Sequence, residues 1–121
     1  MTGKGLTCGY LSQIDVDKII QEGLSNLPFD GKRVLVIIPD RTRTMPMPLF
    51  FRAITKSLMT RAKALNFLIA LGTHPPIDEK DILDMVKITP EEKTWEYPRL
   101  GFFNHAWEDP KALTTLGVIP K

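Results

Sequence analysis

The chain has 121 residues, 43% hydrophobic and 25% charged, with a net charge of +2, which is the composition of one globular domain or part of one. That excludes a disordered segment, and the small, scattered positive charge excludes a dedicated nucleic-acid binder. No apolar run reaches the ~20 residues that span a bilayer, no signal-peptide pattern opens the chain, and the single Cys8 cannot pair within it, so a cytoplasmic protein without a membrane segment is expected.

In chain order, DVDKIIQEGLSNLP places Val16, Ile19, Ile20 and Leu24 at helical spacing, with acids in the first turn and Pro28 as the stop. FDGK reads as a turn. Residues 33–38 (RVLVII) are of strand length and, after Arg33, unbroken in apolar character, the pattern of a strand covered on both faces in a parallel sheet. Pro46 and Pro48 suit a helix start, and Phe51, Ile54, Leu58 and Ala62 then predict a helix over 48–62. Residues 64–71 (ALNFLIAL) are a second strand, broken by GTHPP. Ile77 and Ile82 flank an Asp78 cap as a hydrophobic staple, which predicts a helix over 79–86. TPEE at 89–92 is a capping box with proline in the first helical position, and so a further helical turn. A third strand, weakened by Gly101, is expected over 100–103, and EDPKALTTLGVIP reads as a short helical turn followed by a loop.

The alternation predicts an α/β fold with a mainly parallel sheet and flanking helices, a Rossmann-like three-layer arrangement. Three short strands and their helices do not cover both faces of such a sheet. The chain is therefore expected to be a partial, N-terminal domain over 1–121, with an apolar face left exposed or covered by self-association.

Ligands of open α/β sheets bind beyond the carboxyl ends of the strands. Asp40, Arg41, Thr42 and Arg43 follow the first strand; Gly72 and His74 follow the second; Asn104 and His105 follow the third. Both histidines of the chain fall at these ends. Arg43 suits bidentate binding of a carboxylate, Asp40 can hold the arginine or orient an imidazole, and His74 can act as general acid or base. Asn104 and His105 add a hydrogen-bonding and a second titrating group. Bland readings stand beside these. Asp40 before a threonine also suits the cap of the next helix, Gly72 suits a positive φ, Arg41 suits solvent, and His105 beside Trp107 suits packing. The spacing of Asp40, His74 and His105 is not that of a metal site, and none is expected; phosphate-loop, dinucleotide, nucleophile-elbow and zinc motifs are absent.

The combination of DRTR at 40–43, ALGTHPP at 70–76 and NHAW at 104–107 resembles the N-terminal domain of the nickel-pincer lactate racemase family, over essentially the whole chain. The resemblance implies a 2-hydroxy acid racemase or epimerase. In that family a nickel-pincer nucleotide, tethered to a lysine, takes a hydride from the substrate carbon and returns it, while histidines handle the hydroxyl proton. It further implies that Asp40 and Arg43 match the aspartate and arginine of an Asp-x-Thr-Arg motif, with Arg43 near the substrate carboxylate, and that His74 matches a catalytic histidine. Thr44 and Pro75 stand where the family commonly has proline and a second arginine, so the implied substrate is a small carboxylate of the 2-hydroxy acid class rather than lactate alone. The family's second catalytic histidine, its lysine and its nickel ligand have no counterpart here. The chain is thus expected to be inactive by itself, to hold no cofactor covalently, and to need the remainder of the enzyme as partner. The rival expectation is a non-catalytic anion-binding or partner-docking module, in which Arg43, Thr42 and backbone N–H groups hold an anion and His74 is structural.

Overall fold

The computed structural model describes residues 2–119. Side chains at the helix starts decide where three of the helices begin. Ser12 and Asp15 close a capping box on α1 (Gln13–Ser25), Asp78 accepts the Asp81 N–H at 2.8 Å to start α3 (Glu79–Val86), and Thr89 with Glu92 does the same for α4 (Pro90–Trp95). Helix α2 (Met47–Leu58) starts after Pro46 with no side-chain cap and has Pro48 in its first turn, where a missing N–H costs nothing. It ends four residues before the predicted Ala62. The chain has to turn there, so that the Lys63 N–H can reach the Lys32 carbonyl at 2.8 Å and set the next strand beside the first. Arg61, in that turn, donates to the Leu24 and Leu27 carbonyls and to Asp30, tying the end of α1 to the end of α2.

The strands β1 (Arg33–Pro39), β2 (Ala64–Ala70) and β3 (Leu100–Asn104) form one parallel sheet in the order β1-β2-β3, with Ile37 opposite Leu68 and Leu68 opposite Phe103. A 3-10 turn, Pro110–Ala112, follows. The core lies on one face of the sheet. There Leu65, Phe67 and Ile69 of β2 meet Phe51 and Leu58 of α2 and Ile82, Leu83 and Val86 of α3. Phe51 sits at its centre, 5.3 Å from the Phe67 ring, 5.4 Å from Tyr97 and 6.1 Å from Phe102. Right-handed connections that step the same way across a sheet bring their helices to the same side, which is why α2 and α3 share one core.

The expected α/β fold with a parallel sheet and helices is therefore present. Cover on both faces of β1 is not: the strand alternates, and Leu35 and Ile37 are 55% and 65% exposed. Phe103 of β3 joins them on the open face. The second helical layer of a three-layer arrangement is not among the described residues, and the exposed apolar face anticipated for a partial domain is what remains.

Candidate active site

Among the described residues, two buried ones are polar or charged, and one of them, Thr55, satisfies itself by donating to the Phe51 carbonyl within α2. The other is Asp40, 5% exposed, directly after β1. Pro39 ends the strand without an N–H to give, and the chain then folds back on the aspartate. The Thr42 N–H and hydroxyl donate to Asp40 Oδ1 at 3.0 and 2.5 Å, and the Arg43 N–H donates to the Asp40 carbonyl at 3.3 Å. Asp40 is thus no helix cap, since the cap position of α2 is Pro46, six residues later, and carries no side-chain cap bond.

The second oxygen, Oδ2, lies 2.5 Å from His74 Nδ1. His74 is brought there by the turn that ends β2. Gly72 takes a φ of +62°, a conformation that suits glycine, and the His74 N–H closes the turn on the Leu71 carbonyl at 3.0 Å. The Thr42 hydroxyl first, then the His74 ring and the Thr42 N–H, hold the Asp40 carboxyl down to about 2 from an ordinary 3.8, against the opposing effect of burial. Asp40 is therefore a carboxylate at neutral pH and can only accept. The proton between the two groups belongs on Nδ1, and in the neutral ring Nε2 is left as the basic nitrogen, on a side chain 51% exposed.

An open hollow of about 340 Å³ adjoins the pair, bounded by Asp40, Thr42, His74, Pro75, Ile77 and the exposed Arg41–Asp81 ion pair (2.8 Å). A second of about 280 Å³ shares Asp40, Arg41 and Asp81 with the first and is lined further by Arg43, Lys87, Asp84, Met45, Met47 and Met85. Larger hollows between α1 and α2 and between α3 and α4 contain no histidine and no buried charge. Arg43 makes no side-chain hydrogen bond among the described residues, so its guanidinium donors are available to a ligand. Arg41, read from the sequence as solvated, is exposed but reaches Asp81. No cluster of three or more metal-ligating side chains occurs among the described residues.

Of the residues expected at the strand ends, the structure joins Asp40, Thr42 and His74 in one hydrogen-bonded unit, while the Arg43 side chain stands apart and lines the second hollow. Asn104 instead engages both ends of its amide with the Ile77 backbone, at 3.1 and 2.8 Å. His105 is half-buried, and its N–H bonds to the Ile69 carbonyl at 3.0 Å. Sequence reasoning missed Trp107, whose indole N–H donates to the His74 carbonyl at 3.2 Å. The available signal was that a packed tryptophan needs a partner for its single donor.

A crystal structure of a protein from Thermotoga maritima has the same fold, with a TM-score of 0.76 at 24% identity over 91% of this chain and 25% of that one. The chain thus spans about a quarter of the length of that protein. No curated protein matches. Residues 15–121 match the lactate racemase N-terminal domain. That match takes in all three strand ends and the Asp40–His74 pair between them, and the chain belongs to the lactate racemase N-terminal domain family.

Proposed function

We propose that this chain is the substrate-facing N-terminal portion of an enzyme that racemises or epimerises a 2-hydroxy acid, with His74 as a general base and acid. The observation that carries this reading is the contact between His74 Nδ1 and the buried, ionised Asp40. The carboxylate fixes the ring tautomer, so that Nε2 takes the hydroxyl proton, and it stabilises the imidazolium that forms until the proton is returned. Thr42 keeps Asp40 ionised and immobile. Arg43 binds the substrate carboxylate, and His105 supplies a further polar contact from the end of β3.

When bound, the nickel-pincer nucleotide implied by the family supplies acceptance and return of the hydride. Among the described residues the donors do not assemble a metal site, and none of them is assigned to hold that group. We place the cofactor, and the second proton-handling group that racemisation requires, in the remainder of the enzyme, and assign the open face of the sheet to contact with it, since parallel sheets are covered on both faces. A cytoplasmic setting accords with one unpaired Cys8.

The test is racemisation of a panel of 2-hydroxy acids by the longest natural form of the protein, followed by chiral chromatography. His74→Ala is expected to lower turnover by at least about a hundredfold with nickel content unchanged. Full turnover in that variant overturns the assignment, and bound carboxylate without turnover in the wild type favours the anion-binding module.

A further inference from the structure

His74 rides on residues 71–78, a connection that lacks strand or helix hydrogen bonds of its own and includes Pro75 and Pro76, which have no N–H to donate. Apart from the turn that the His74 N–H closes on the Leu71 carbonyl, its backbone is held from outside. The Trp107 indole takes the carbonyl of His74 itself, while the Asn104 amide accepts from the Ile77 N–H and donates to the Ile77 carbonyl, completing a two-bond pair of the kind a neighbouring strand would make. The grips come from Asn104 at the end of β3 and from Trp107 just after it, and they fall on either side of the two prolines.

We infer that Asn104 and Trp107 are positioning residues for His74, clamping its loop so that the ring meets Asp40 in the tautomer that leaves Nε2 free. The exposure of the ring is the reason a clamp is needed. Unlike Asp40, the His74 side chain is 51% exposed and not packed in the core, so its direction is set by its backbone and by a single hydrogen bond. Asparagine is suited to the task because one planar group offers a donor and an acceptor together; aspartate keeps the shape but loses the donor. Trp107, half-buried against the core, brings a rigid ring whose only polar atom is the one used.

The inference rests on the proposed role of His74 for its catalytic consequence, but not for its structural one, and the two are measured separately. Long-range proton–nitrogen NMR spectra of the full chain should show His74 protonated at Nδ1 in the wild type. Asn104→Asp and Trp107→Phe should shift it towards a mixture of tautomers, while backbone amide resonances outside residues 71–78 and 104–107 stay in place. In the longest natural form the same substitutions should lower kcat by about ten- to a hundredfold with KM little changed. An unaltered His74 tautomer in both folded variants overturns the clamp. If Asn104→Asp fails to fold, Trp107→Phe, which keeps an aromatic ring in place, decides alone. A shifted tautomer with unchanged kcat upholds the clamp and refutes the catalytic reading of His74, so failure of one is distinguishable from failure of the other.

Discussion

Asp40 is a charge in a buried position, and such charges persist only when every oxygen is occupied. Here Oδ1 takes two donors from Thr42 and Oδ2 faces His74, so removing the carboxylate takes the acceptor from all three bonds. The lowered carboxyl sets an acid dependence whose sign is definite. Because the folded-state value of about 2 lies below the ordinary 3.8, the unfolded chain takes up its proton first, and the stabilisation from Asp40 is full above about pH 4 and lost as pH falls towards 2. Asp15 behaves in the same way, held to about 2 first by Lys4 and then by Ser12. Denaturant unfolding in steps from pH 5 to pH 2 should show the midpoint falling through this window, and Asp40→Asn should flatten the fall in part. An unchanged slope in that variant would remove Asp40 from the account. The sequence put Asp40 at a strand end but left helix cap and imidazole partner open. The choice between them required the 34-residue separation from His74 to be closed by the sheet.

At the scale of elements, the caps Asp78 and Thr89 were readable because a cap is a bond between residues three apart, set by local backbone geometry, whereas the Ser12 cap of α1 was not read from the sequence. Ends were less uniformly readable. Helix α3 ends at Val86, as expected from the sequence, but it closes on Lys87, which takes a φ of +55° where glycine would ordinarily be found. What holds Lys87 there is tertiary as well as local: its carbonyl accepts from Arg52 of α2 at 2.9 Å. Lys87→Gly should relieve the left-handed strain and raise stability by up to about 1 kcal/mol, after allowing for the extra freedom of glycine in the unfolded chain. Equilibrium unfolding in urea checks this, and a lowered midpoint would show that the Lys87 side chain matters more than its backbone. The end of α2 at Leu58 has a similar origin. Its apolar periodicity runs on to Ala62, but delivery of β2 alongside β1 stops the helix earlier.

For the molecule as a whole, the decisive feature is a parallel sheet with helices on one side. Leu35, Ile37 and Phe103 present an apolar surface of the kind that self-associates when uncovered. Sedimentation of the chain alone should therefore show association that rises with concentration, and Ile37→Lys combined with Phe103→Lys should reduce it while leaving the helical signal intact; a wild-type chain that stays monomeric at high concentration would contradict this. Phe51, by contrast, is 1% exposed on the covered side and belongs to the core that any variant must keep. By itself the sequence determined the order of elements, the parallel class of the sheet and the polar residues at each strand end, because periodicity, caps and prolines act over a few residues. Tertiary structure alone decided which face of β1 is covered, that Asp40 and His74 touch while Arg43 stands apart, and that Asn104 and Trp107 grip the His74 loop. Those contacts join residues 27 to 34 positions apart, and only the pairing of β1, β2 and β3 brings them within hydrogen-bonding reach.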